Sequence, residues 1–332
     1  MYLTHQQITS VVTGFLDVEI NGNSMRLLRT TAAQRSVYHE DDVGLRRART
    51  AAGITLSLLT DSQTLTLGCS DILLLPNYHC TFDVFLDRQF YDSFSITADT
   101  VEYPSQPVSF RHVFRLPKGD KLVTLYFPLY RMLLDSVELD DSASWSPYRA
   151  PIKWIAFGDS ITEGREPDHP GNSYTNRLSR MLNAELFNQG ISGEMFRSRK
   201  IVPGTYPSCD FVTVAYGTND FRKQQPELLI PEMSAFLKQV TEEFPNVPIF
   251  CLLPLWRKDH ETVTRERTLT QVREILRQEA GKYPRIHIID CWDFIPHDDS
   301  LFYDRRLHPN DTGFAFYADA LYPHMQRILS EA

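Results

Sequence analysis

Four short segments in the second half of the 332-residue chain hold side chains whose types and order suit acyl transfer. That chemistry needs a hydroxyl, a base within hydrogen-bond reach of it, and N–H donors aimed at the oxyanion that develops on the carbonyl. In Phe157-Gly158-Asp159-Ser160-Ile161-Thr162-Glu163-Gly164 a serine follows an apolar run, where a turn into a helix would lift its hydroxyl above a strand end. The same Ser160 or Asp159 would serve equally as a helix N-cap. Asn188-Gln189-Gly190-Ile191-Ser192-Gly193 offers glycines, which let a backbone N–H approach a ligand closely or simply make a turn. In Ala215-Tyr216-Gly217-Thr218-Asn219-Asp220 the Asn219 amide can donate to an oxyanion or close an Asx turn. In Asp304-Arg305-Arg306-Leu307-His308-Pro309-Asn310-Asp311, Pro309 restricts His308 to extended geometry and holds its imidazole on a loop.

The elements around these segments are those of an open α/β sheet. Ile152–Phe157, Phe211–Ala215, Pro248–Leu253 and Arg285–Ile289 are compact apolar runs of the kind buried on both faces of a parallel sheet. Amphipathic stretches of helical length lie between and after them, at Ser173–Asn183, Pro226–Glu243, Glu261–Ala280 and Asp311–Leu329. Ligands of such sheets bind outside the carboxyl ends of the strands, where the four segments fall. Before residue 150 the pattern changes to period two. Gly53–Leu59, Thr64–Cys69, Thr81–Leu86 and Leu122–Tyr126 read as strands, with turns at Asn21-Gly22-Asn23, Asp61-Ser62 and 117–120, which suggests a β-sandwich. The Ser- and Pro-rich stretch Asp140–Pro151 reads as the linker. The expected organisation is therefore a β-sandwich over 1–148 and a doubly wound α/β domain over 149–332.

Composition narrows the function classes. With 42% hydrophobic and 23% charged residues the chain has the make-up of a globular protein, not a disordered one. A net charge of −8 argues against a nucleic-acid partner, which would need a concentrated positive face. Five cysteines without a CxxC favour free thiols, no zinc site and a reducing compartment. The first residues lack a basic segment followed by an apolar one, and no apolar run approaches the ~20 residues of a membrane span. The expectation is a cytoplasmic protein with no membrane partner. The acidic Asp159 and Glu163 after the first strand would repel phosphate, which disfavours a flavodoxin-like carrier on the same sheet.

In order and wording the four segments resemble the signature blocks of the SGNH (GDSL-like) hydrolase superfamily: Gly-Asp-Ser at 158–160, a glycine at Gly193, Gly-x-Asn-Asp at 217–220 and His-Pro-Asn at 308–310. The resemblance covers about residues 152–329 and implies a three-layer α/β/α flavodoxin-like domain. It also implies the roles. Ser160 is the nucleophile, His308 the general base, and the Ser160 amide, the Gly193 amide and the Asn219 side chain are the oxyanion donors. The family's acid stands three residues before the histidine, a position held here by Arg305. Either Asp304, four before, orients His308, or a backbone carbonyl does so in a Ser-His dyad; Asp293 is a more distant candidate. Leu116-Pro117-Lys118-Gly119 followed by Val123–Tyr130 resembles the jelly-roll-like β-domain that precedes the hydrolase domain in a bacterial subgroup.

The reaction so implied is hydrolysis of short-chain carboxylic esters, without metal or cofactor, and the N-terminal β-domain tilts the substrate toward acetyl groups on carbohydrates. Two other readings use the same scaffold: an acyltransferase passing the acyl group to an alcohol, and a non-catalytic carbohydrate-binding protein. The expected partner is a small-molecule or carbohydrate ester, and homo-oligomerisation is compatible with the sequence.

Overall fold

The computed structural model describes residues 1–38, 42–75, 79–101 and 106–331. The four apolar runs after residue 151 are strands of one parallel sheet, and Ala184–Gly190, which is not an apolar run, is its fifth strand: β1 (Ile152–Gly158), β2 (Ala184–Gly190), β3 (Phe211–Ala215), β4 (Ile249–Leu253) and β5 (Ile286–Asp290). Their order is β2-β1-β3-β4-β5. The accompanying helices are α1 (Ser160–Glu163), α2 (Tyr174–Leu182), α3 (Thr218–Lys223), α4 (Leu229–Glu243), α5 (Leu269–Ala280) and α6 (Asp311–Leu329). Leu178 of α2 and Phe314, Leu321 and Met325 of α6 share one core with Trp154 and Phe250 of the sheet. Met233, Phe236 and Val240 of α4 and Leu276 of α5 share a second with Ile155, Val212 and Cys251. Helices on both faces thus bury both sides of the strands, which is why those strands are apolar at consecutive positions.

Local capping sets helix ends that periodicity alone misplaces. The α5 helix begins at Leu269, not at residue 261, because Thr268 and Gln271 form a reciprocal capping box. Ser173 accepts from the Asn176 N–H to open α2, and Asn183 closes it in the left-handed conformation.

The N-terminal region holds two antiparallel sheets around a common core. One runs in the order 12–13, Thr55–Thr60, Lys121–Tyr126, Cys80–Leu86, Gln89–Ile96; the other in the order Asp17–Asn21, Ser24–Leu28, Leu133–Leu139, Thr64–Ile72, Val108–Arg115. Leu56, Leu58 and Val123 of the first pack with Leu65, Leu67 and Val137 of the second. Gly22-Asn23 makes the two-residue hairpin loop that the sequence signals. The stretch 140–151 is not all linker: Trp145–Pro147 pairs antiparallel with Leu58–Thr60. It lies at the sheet edge, where a proline without an N–H is tolerated. Short helices at His5–Val11, Ala32–Ser36 and Asp42–Ala48 also interrupt the expected all-β pattern.

The two regions dock closely. Strand Cys80–Leu86 is buried at every position, because the residues that would face solvent face the α/β domain instead. Asp83 takes bonds from His169 Nδ1 (2.8 Å) and the Gly171 N–H (2.9 Å), and the Arg180 guanidinium lies 4.2 Å from the centre of the Phe85 ring. Among the described residues no helix is long and apolar enough to cross a membrane.

Candidate active site

Strand register sets the site. Gly158 of β1 lies beside both Gly190 of β2 and Ala215 of β3. The three following segments therefore leave the sheet side by side, at the switch point where the strand order reverses. The Asp159 side chain accepts from the Ile161 N–H at 3.0 Å and is the N-cap of α1. Ser160 is then the first helical residue, with no carbonyl one turn back to take its N–H. Its Oγ lies 2.9 Å from His308 Nε2.

His308 Nδ1 lies 2.9 Å from Asp304 Oδ2. Asp304 Oδ1 also accepts from the N–H groups of Arg306 (3.0 Å), Leu307 (2.7 Å) and His308 (3.1 Å). Half-burial by itself would raise this carboxyl, but the bonds from the imidazole and the backbone outweigh it and hold it well below the usual carboxylate range. An ionised carboxylate only accepts, so Nδ1 carries the proton, and a neutral imidazole then presents the Nε2 lone pair to the Ser160 hydroxyl. Asp293 has no part in this row; its Oδ1 lies 3.2 Å from His297 Nε2 instead.

Gly193 has φ +80°, which favours glycine, and its carbonyl accepts from Lys223 Nζ at 3.2 Å. Its N–H makes no backbone hydrogen bond among the described residues. The peptide before it is tied to α1, since Glu163 Oε2 accepts from the Ser192 N–H at 2.8 Å and from the Ser192 hydroxyl. Asn219, in the first turn of α3, is buried, and its Nδ2 has no hydrogen-bond partner among the described residues. A buried donor left unpaired costs about 1–3 kcal/mol, which an oxygen of a bound ligand would relieve.

Asp220, given no role by its motif, and Arg257, which lies outside the motifs, hold this arrangement. Asp220 accepts from the Phe196 (3.0 Å) and Gly217 (3.1 Å) N–H groups, and the buried Arg257 donates to the Thr218 carbonyl (3.1 Å) and hydroxyl (3.0 Å). Arg257 follows β4 closely, so its place near a strand end was a usable signal. Burial pushes the carboxyls of Asp159 and Asp220 up to about 6 and about 7.

A cavity of about 410 Å³ opens between the two regions, walled by Leu73, Leu75 and Leu129 on one side and Arg165, Pro167 and Tyr303 on the other. The Arg165 N–H donates to the Ser160 carbonyl (2.9 Å) and the Tyr303 N–H to the His308 carbonyl (2.8 Å). The cavity wall is thus continuous with the backbone that carries the serine and the histidine.

Residues 156–316 match the GDSL-like lipase/acylhydrolase family. Among solved structures the chain is similar to the salicylyl-acyltransferase SsfX3 from a tetracycline biosynthetic pathway, with a TM-score of 0.82 at 18% identity over 99% of this chain and 97% of that one. It is similar to a protein described as a GDSL-like lipase from Bacteroides ovatus, with a TM-score of 0.77 at 20% identity over 99% and 98%. A family two carbohydrate esterase from Cellvibrio japonicus gives 0.64 at 16% identity over 99% and 97%. These likenesses extend over both the sandwich and the parallel sheet, and they establish the fold. No curated protein matches the chain in sequence. With its signature blocks at the ends of β1, β2 and β3 and before α6, the segment 156–316 is a GDSL-like lipase/acylhydrolase domain, and an antiparallel β-sandwich lies ahead of it in the chain.

Proposed function

We propose that the protein is a serine esterase that hydrolyses short-chain carboxylic esters through an acyl-enzyme, with O-acetyl groups on carbohydrates as the first substrate class to test. The observation that carries this reading is the row Ser160 Oγ, His308 Nε2, His308 Nδ1, Asp304 Oδ2, with 2.9 Å at each hydrogen bond. In the proposed reaction His308 takes the Ser160 proton as Oγ attacks the carbonyl carbon. The Ser160 and Gly193 amides and Asn219 Nδ2 receive the oxyanion. His308 then protonates the leaving alkoxide, deprotonates a water for attack on the acyl-serine, and returns the proton to Ser160. Residues 1–148 and 149–332 are the two domains of this reading, and the five free cysteines fit a cytoplasmic location.

The test is incubation with a fluorophosphonate probe followed by peptide mapping, beside hydrolysis of 4-nitrophenyl acetate and butyrate. Labelling at Ser160 and turnover of the acetate are expected, both lost in Ser160→Ala, with turnover lost in His308→Ala. A folded protein that neither labels nor hydrolyses would overturn the reading.

The interdomain cavity favours a second reading, an acyltransferase, because a chamber lined by the residues that follow Ser160, from Glu163 to Asp168, leaves room for an acceptor alcohol. The likeness to a salicylyl-acyltransferase over the whole chain points the same way. Mass spectrometry of products formed with a competing phenol or sugar separates the two: a new ester exceeding free acid marks transfer.

A further inference from the structure

Arg29, just after strand Ser24–Leu28 of the β-sandwich, is fully buried, yet most of what it holds belongs to the hydrolase domain or the residues packed on it. Its Nη1 donates to the carbonyls of Asn188 (3.1 Å) and Gly190 (2.6 Å), at the end of β2. Its Nη2 donates to Glu163 Oε1 at 2.7 Å and to the Arg47 carbonyl at 2.8 Å, and Nε to the Thr50 carbonyl at 3.2 Å. The other oxygen of Glu163 holds the Ser192 N–H. We propose that Arg29 is a positioning residue for the oxyanion loop: the β-sandwich supplies a guanidinium that fixes Ser192-Gly193 through Glu163 and so completes the catalytic centre. The inference rests on the serine-esterase reading above.

Three features support this. Glu163 lies on the same short helix as Ser160, so its carboxylate references the Gly193 peptide to the serine that would attack. A Cβ on Gly190 would lie 2.5 Å from the Glu163 nitrogen, so β2 and α1 are pressed together where Arg29 enters. A planar fork can reach two strand-end carbonyls and a carboxylate at once, whereas an ammonium is a single point charge. Misplacing a catalytic donor by about 1 Å can cost on the order of 100-fold in rate. A purely structural bridge would instead lower stability and leave the turnover of the folded fraction alone.

The experiment uses the full chain and 4-nitrophenyl acetate. Arg29→Lys and Glu163→Gln should lower kcat by about 10- to 100-fold with KM within about threefold. The double variant should be no slower than the worse single, because both break one chain of contacts. Added guanidinium should partly restore kcat in Arg29→Ala. Arg49→Met, which breaks the ion pair with Glu19 instead, should keep the parent kcat. Folded variants with kcat within about twofold of the parent, or with the loss confined to KM, overturn the inference; if the Arg29 variants do not fold, Glu163→Gln decides alone. A parent that does not label at Ser160 refutes the esterase reading and this inference with it. A labelled, active parent with undiminished variants refutes only the inference.

Discussion

Asp304 Oδ2 lies 2.9 Å from His308 Nδ1 across a loop that folds around the carboxylate. Arg305 adopts the left-handed conformation (φ 53°), its N–H donates to the Phe302 carbonyl at 3.0 Å, and Phe302 pairs with Pro309 as an isolated bridge. That turn takes up the extra residue between acid and histidine relative to the family's three-residue spacing, which is how an aspartate four positions away reaches the ring.

Asp304→Asn should therefore do more than remove a charge. The amide can donate to Nδ1, which favours the tautomer with its proton on Nε2, facing Ser160. We expect kcat for 4-nitrophenyl acetate to fall more than about tenfold; a loss within about threefold, under 1 kcal/mol of barrier, would favour orientation by the backbone. The depressed carboxyl also stabilises the fold above its unfolded value of about 4, and that contribution is lost as pH falls through the folded value. The stability gap between parent and variant should accordingly close in strong acid, as read by urea unfolding.

Asn219→Ala removes an amide donor on α3 that is buried without a partner. A single oxyanion donor is worth about 10²–10³ in kcat, so steady-state kinetics should show a loss of that order with KM little changed. Because the parent donor is already unpaired, stability should not fall in proportion. A large drop in unfolding midpoint with kcat preserved would mark Asn219 as structural.

The buried Asp159 and Asp220 predict an opposite pH trend. Burial lifts their carboxyls to about 6 and about 7, and the charge of Asp159 raises Asp220 further; the Ile161 N–H, His308, Arg257 and Lys223 pull Asp159 back only in part. Between about pH 4, where they ionise in the unfolded chain, and pH 7 the native state binds more protons than the unfolded one. Stability from these groups therefore declines as pH rises through that window. Asp220→Asn should show a shallower decline in urea midpoint from pH 4 to 8; parallel profiles would contradict it.

Native thiols should react slowly. Cys69, Cys80, Cys251 and Cys291 are buried, and burial raises every one of them; Cys251 and the half-buried Cys209 are pushed up to about 12. Iodoacetamide on the folded protein should modify Cys209 first, by peptide mapping, and the others only after denaturant is added.

The parallel strands, the two-residue hairpin at Gly22-Asn23 and the placement of Ser160, Asn219 and His308 at element ends were legible in the sequence, because periodicity and turn chemistry are written in adjacent residues. Strand Ala184–Gly190 was harder to delimit, since Glu185, Asn188 and Gln189 break its apolar run; Asn188 and Gln189 are buried there by bonds to the Thr162 and Arg29 carbonyls. Tertiary structure alone decided that Asp304 reaches His308 past a left-handed Arg305, that the outer face of Cys80–Leu86 is covered, and that Arg29 meets Glu163 across 134 positions. The first is made by a local turn, but the other two depend on how the two regions dock, and a buried charge takes whichever partner docking brings within reach.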